Sequence, residues 1–397
     1  MSPVFDVSIS RKEHHGREVN LMMPATPYEL QDALERLRVS SDEEVKAEIL
    51  YSQRSKYLNL LPIEQGGLYE VNALAEKMSS FEDWQQEAFD GLVKADAFKS
   101  DQPIPISRLI DFAYSTECCH VLGGITTDKE LGKFLVDNGL WRYEETLTED
   151  VYKNLNFKEI GQEHRLTEGG IFTANSYVEQ HSDLVEAHRT LDLTPQPLDY
   201  TVLLKISKGF FNALEHDSEQ TMRLGLPSTD AKLSEALEQL GVASWKKVGF
   251  ECIDCKAPML INLILDAENI GEVLQLADVL AAMPQKQLTE YKAILTATKC
   301  SEFDGAVDLI SRMEEYIVTP KYETMEDVAR DEMSVIMSPD AVAIMFPCLD
   351  LEGYGRALVK TLNADLTEYG MVERKDRQPV CAPQEKPGQE QFNGMNL

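Results

Sequence analysis

The chain repeats itself once, and a repeat of this length restricts the fold more than any single motif does. PATPYELQDALERLRV (Pro24 to Val39) and PSTDAKLSEALEQLGV (Pro227 to Val242) share Pro24, Thr26, Leu30, Ala33, Leu34, Glu35, Leu37 and Val39 at a spacing of 203 residues. Apolar positions at i, i+3, i+4 and i+7 predict one amphipathic helix in each copy, entered through a Pro/Ser/Thr cap. LYEVNALAEKM (from Leu68) then meets IGEVLQLADVL (from Ile270), Phe89 meets Tyr291, and Leu109-Ile110 meets Leu309-Ile310. Near the end of each copy, LNFKEIG (from Leu155) meets LDLEGYG (from Leu349), and Thr173, Val178 and Glu179 fall on Thr367, Val372 and Glu373.

The order of matches predicts an elongated α+β protein built from two tandem copies of a three-part module. Residues 1–62 and 201–262 read as small α/β parts, and 63–140 and 263–338 as helical parts. Residues 141–190 and 339–380 read as small α+β parts. LDLTPQPLDY (191–200) joins the copies as a stiff connector that reaches at most ~35 Å, which predicts a head-to-tail arrangement. The Gln/Pro/Gly-rich tail, 381–397, reads as disordered. A chain of 397 residues exceeds what one hydrophobic core usually organises, in keeping with several parts.

Apolar runs are short, PMLINLIL and AVAIMF among the longest, and MSPVFDVSISRKEHH lacks a signal-peptide apolar stretch, so a cytoplasmic protein with no membrane contact is expected. Seven scattered cysteines do not suggest a disulfide framework. Only Cys252 and Cys255 have CxxC spacing, and no second ligand pair follows, so they read as thiols at a strand end and no metal is expected. Cys118-Cys119-His120 is the best candidate for a reactive cluster. His14, His15, His164, His181, His188 and His216 form no familiar catalytic spacing with Ser, Asp or Cys. No catalytic residue and no cofactor is therefore expected.

EGGIFTANSYV (from Glu168) invites a phosphate-loop reading, but it matches neither GxxxxGK nor GxGxxG. The other copy has Asn363 and Ala364 where this one has Gly169 and Gly170, although the following strand persists. The glycines are read as turn residues, both supplying positive φ between a helix end and a strand.

Charge then carries the functional argument. There are 68 acidic and 38 basic residues, a formal net charge of -30, and residues 1–200 hold 36 of the acids. An even spread excludes a single acidic tail and disfavours direct contact with nucleic acid or anionic membrane. The candidates for acidic contacts are Glu70, Glu76, Glu82, Asp83, Glu87, Asp90, Asp128, Glu130, Glu144, Glu145, Glu149 and Asp150 in the first copy. In the second they are Glu268, Glu272, Asp278, Glu314, Glu315, Glu326, Asp327, Asp331 and Glu332. Basic neighbours at helical spacing look few. Because B-DNA carries one charge per ~1.7 Å of axis, this net charge would match roughly 50 Å of duplex before counterion condensation.

PATPYELQDALERL, LYEVNALAEKMSSFEDWQQEAFDGLV, LIDFAYSTECCHVLGGITTDKELGKFLV and LNFKEIGQEHRLTEGGIFTANSYV together resemble the ArdA-type antirestriction proteins of conjugative elements and phages. The resemblance covers most of residues 1–180, and the EGG-IFT…YV ending is its most specific part. It implies an elongated, non-enzymatic mimic of bent B-DNA. Such a mimic occupies the DNA-binding groove of type I restriction-modification enzymes and protects foreign mobile DNA. A typical member corresponds to one copy and often acts as a homodimer, so the oligomeric state here stays open. Another DNA-binding target, such as a CRISPR effector or a nucleoid protein, fits the charge equally. A regulatory adaptor that binds through apolar surface is a third reading, and an enzyme built on the cysteines a fourth.

Overall fold

Two apolar alternations, FDVSISR and VLLKISK, become the central strands of matching sheets. The computed structural model describes residues 2–13, 16–142, 148–209 and 221–381. Glu144 and Glu145, and all of the expected tail except Cys381, lie outside the described residues. The chain forms two compact units divided between Gln196 and Pro197, within the 191–200 connector.

In the first unit β1 (Phe5–Arg11) lies between β2 (Glu18–Met23) and β3 (Val45–Ser52), both antiparallel to it. α1 (Pro27–Leu37) covers this sheet with Leu30, Ala33, Leu34 and Leu37. Its start is set locally: Thr26 Oγ1 accepts from Glu29 N at 3.3 Å, and the Glu29 carboxylate accepts from Thr26 N at 2.8 Å. α2 (Leu68–Ser79), α3 (Asp83–Ala97) and α4 (Ile106–Tyr114) follow. Leu68, Leu74, Met78, Phe89, Leu109 and Phe112 share one core with Phe5, Val7 and Ile9 of the sheet. Each such large side chain, fully buried, contributes about 1.5–3 kcal/mol.

β4 (Cys119–Gly123), α5 (Asp128–Asp137), the short α6 (Glu149–Lys153), α7 (Phe157–Glu168), β5 (Ile171–Phe172) and β6 (Ser176–Gln180) complete the unit. The second sheet has the order β4-β6-β5, all antiparallel, and packs with α5 and α7 around Leu131, Leu135, Ile160 and Tyr177. The boundary expected at residue 140 is therefore crossed, since β4 and α5 precede it while their partners β6 and α7 follow it.

The second unit runs in the same order. β7 (Val202–Lys208) lies between β8 (Thr221–Leu226) and β9 (Val248–Cys255), and α8 (Asp230–Gln239) follows β8. Next come α9 (Ile261–Ile264), which has no helical counterpart in the first unit, then α10 (Ile270–Ala282), α11 (Gln285–Thr298) and α12 (Phe303–Ser311). β10 (Tyr316–Thr319), α13 (Met325–Ile336), α14 (Pro339–Met345), α15 (Leu351–Thr361), β11 (Asp365–Thr367) and β12 (Gly370–Arg374) end it, with sheet order β10-β12-β11. Both units carry a cis X-Pro bond before the first helix, Met23–Pro24 and Leu226–Pro227. The protein is mixed α+β with small antiparallel sheets, and among the described residues no helix is long and apolar enough to cross a membrane.

Glycines at the helix crossings and at the α7–β5 turn explain sequence features that the repeat left open. A Cβ on Gly161 would stand 1.8 Å from Asp128 O, and one on Gly132 would stand 1.8 Å from Phe157 O, so α5 and α7 cross backbone against backbone. Gly355 has the same relation to Met325 O between α13 and α15, which is why LNFKEIG and LDLEGYG end alike. Gly169, at φ 75°, is the left-handed C-cap of α7, and Asn363 takes the same conformation at φ 52° in the second unit. Asn is among the few other residues that tolerate that region. Gly170 corrects the expectation of paired positive φ: it is needed because a Cβ there would lie 2.1 Å from the Tyr177 hydroxyl.

Candidate interaction surface

The acidic candidates separate into three groups once their surroundings are known. Glu82, Asp83, Asp150, Glu268, Asp278, Glu314 and Glu332 are exposed and have no cationic partner among the described residues. Glu82 and Asp83 open α3, where a carboxylate also meets the positive end of the helix dipole; Glu82 accepts from Trp84 Nε1 at 2.9 Å. These groups present net negative charge to solvent in both units.

A second group is partly spent inside the fold. Glu130 accepts from Thr126 N and Thr127 N at 2.9 and 3.1 Å and caps α5; these hydrogen bonds hold its pKa below the usual carboxylate range. Asp327 caps α13 in the same way, Glu272 accepts from Glu268 N before α10, and Glu70 accepts from Gly67 N before α2. Glu149 pairs with Lys153, Glu315 with Arg312, Glu326 with Arg330 and Asp331 with Lys321. Pairing lowers the pKa of Glu315 and of Asp331, where the Tyr322 hydroxyl adds a hydrogen bond. Basic residues at helical spacing are thus less scarce than expected, with Arg312, Arg330 and Arg356 all engaged by acids four residues earlier. Such exposed pairs contribute little stability, but each removes a net charge from the surface.

The third group is corrected. Asp128 is bound by Arg165 at 2.7 Å and is only partly exposed, so it presents no free charge. Glu87 is half-buried and ties α3 to the β5–β6 turn, accepting from the Thr173 hydroxyl and from Asn175 Nδ2. Asp90 is 8% exposed and is not a surface group at all. It accepts from Ser55 Oγ at 2.5 Å and Gln86 Nε2 at 3.1 Å, yet burial outweighs both bonds and pushes its pKa up to about 6. The reason is the position of α3. From Ala88 to Val93 every residue is buried, because the helix packs on the main core and also meets Val178 of β6 at Gly91. Glu76 keeps its exposure, but partial burial of its carboxyl raises its pKa against the Asn72 hydrogen bond.

Exposed acids outside the expected set also contribute. Asp230, Glu235 and Glu238 stand on α8, whose only fully buried residue is Ala236, and Glu302 and Asp304 open α12. The wide spacing of apolar residues in DAKLSEALEQ carried that signal.

The thiol candidates lack the surroundings of a nucleophile. Burial pushes the Cys119 and Cys255 thiols up to about 12, and raises Cys252 as well. Cys118 Sγ donates to Asp183 O at 3.2 Å. Among the described residues no group of three or more His, Cys, Asp or Glu side chains could hold a metal ion. His188 Nδ1 lies 2.8 Å from the buried Asp111, fastening the 187–189 turn to α4. No protein-family model matches the sequence, and no curated protein matches it.

Proposed function

We propose that this protein is a non-enzymatic, cytoplasmic inhibitor that competes with duplex DNA for a basic groove, a type I restriction-modification enzyme being the first target to test. One observation carries the reading: both units expose carboxylates that no cation of the described chain neutralises, in a protein of net charge -30. Cations in a groove built for phosphate would gain those contacts with the same counterion release that DNA binding provides. The resemblance of residues 1–180 to ArdA-type proteins supports the choice of target.

The test mixes the full-length protein with a type I restriction enzyme and unmodified DNA. Inhibition is expected, weakening as salt rises because groove contacts are screened. Neutralising Glu82, Asp83, Glu314 and Glu332 stepwise should raise the half-inhibitory concentration progressively, whereas Asp90→Asn, inside the fold, should leave it unchanged. Full cleavage at excess protein would remove this target. Equal loss from the interior and the surface substitutions would remove the surface-charge argument.

A further inference from the structure

A cleft of about 500 Å³ opens between the C-terminal half of α3, the start of α5 and the α7–β5 turn. A second of about 400 Å³ continues it, with Phe98, Arg165 and Ile171 shared between them. The floor is apolar, with Ile171 and Phe172 half-buried, but Phe98 is 77% exposed at its edge. Lys94, Lys99, Lys129, Lys158 and Arg165 surround it, and among the described residues the only carboxylate lining it is Asp128, already bound to Arg165. Lys94 donates to Phe172 O at 2.6 Å and holds β5 in place. Lys99, Lys129 and Lys158 are exposed and have no acidic partner among the described residues.

The same arrangement of elements in the second unit forms without these cations. Aligning the helix caps and the β5–β6 pairing with the second unit puts Thr296, Glu326, Glu352 and Val359 where the first has Lys94, Lys129, Lys158 and Arg165. The second unit therefore has none of these four cations, its Glu326 and Glu352 being paired with Arg330 and Arg356, and in a chain with nearly twice as many acids as bases the positive cluster of the first unit stands out against its background.

The Arg165 guanidinium lies over the Phe172 ring, 5.6 Å from its centroid. We infer that this cleft binds a single nucleoside phosphate, the base lying against Phe98 and the Arg165–Phe172 pair and the phosphates held by Lys129 and Lys158. The apolar floor beside the cations selects a ligand that is flat at one end and anionic at the other. The size of the cleft and the net charge of the chain select one nucleotide over a polyanion. The phosphate contacts are assigned to side chains, the amides of Thr126 and Thr127 ahead of α5 being already used by the Glu130 carboxylate. This site is separate from the proposed inhibition and is read by a separate assay.

Calorimetric titration of the full chain at low salt tests it, with ADP, adenosine, pyrophosphate and a short single-stranded oligonucleotide as probes. ADP should bind at one site, with adenosine and pyrophosphate each about tenfold weaker or more. Lys129→Glu with Lys158→Glu, which installs the residues of the second unit, and separately Phe98→Ala should each weaken ADP by about tenfold. An unchanged thermal midpoint confirms that the variants fold, since all three side chains are exposed. The inference is overturned if ADP gives no binding at millimolar concentration, or if pyrophosphate binds as tightly as ADP. Tighter binding of the oligonucleotide than of ADP, or unaltered ADP binding by both folded variants, would overturn it too.

Discussion

Asp90→Asn should make the first unit more stable at neutral pH, against the usual expectation for a buried polar residue. Burial holds the carboxyl at about 6 in the folded protein, against an ordinary 3.8. Well below pH 3.8 both states are protonated and the residue is neutral toward folding. Between about pH 4 and 6 the unfolded chain ionises while the folded carboxyl keeps its proton, so the penalty builds there and levels off once the folded chain ionises inside a helix packed on two sides. One pKa unit corresponds to 1.36 kcal/mol, so the penalty grows to about 3 kcal/mol above pH 7. The substitution removes the charge and keeps an oxygen to accept from Ser55. Gln86 Nε2 donates to that same oxygen, so an Asn that keeps Oδ1 in place keeps both hydrogen bonds. Urea unfolding of the full chain, followed by tryptophan fluorescence in a Trp245→Phe background, reports on Trp84 and Trp141 of the first unit. The variant's advantage should be near zero at pH 3, about 1 kcal/mol at pH 4.5 and about 3 kcal/mol at pH 7.5. Parallel curves across that range would refute the raised pKa. A variant less stable than wild type at pH 7.5 would show that the ionised carboxylate's hydrogen bonds outweigh its burial.

Three further outcomes follow from the packing. Gly161→Ala or Gly355→Ala places a methyl inside a backbone carbonyl's contact distance at a helix crossing, and should cost about 3 kcal/mol or more, seen as a lower thermal midpoint; a neutral result would mean that the helices separate at little cost. Gly169→Ala should cost about 1 kcal/mol through its left-handed backbone alone, with Gly169→Asn costing less, because the second unit already uses Asn363 there; equal losses would contradict a backbone cause. Thiol titration at pH 8 should label the exposed Cys348 and Cys381 rapidly and Cys255 only on unfolding, and early labelling of Cys255 would show that strand β9 opens in the native state.

Much of the local structure was legible because its causes are local. The Thr26, Thr127 and Thr324 caps act within three residues, the alternation in FDVSISR sets a strand, and the shared order of matches is repeated as a shared order of elements. Composition alone fixed the net charge. Which carboxylates remain at the surface was not legible, because that depends on how many faces of a helix other elements cover. Helical periodicity placed Asp90 beside Phe89 and Leu92 without revealing that β6 closes over the far side at Gly91.

The sequence by itself determined the repeat, the helix starts and the acidic excess, since each rests on residue identity and on contacts a few positions apart. Only the tertiary structure decided that Asp90 is interior, that Glu87 and Asp128 are tied down, and that Lys129, Lys158 and Phe98 gather around one cleft. Those outcomes require residues from α3, α5, α7 and β5 to meet, and long-range packing sets both the desolvation of a charge and the company it keeps.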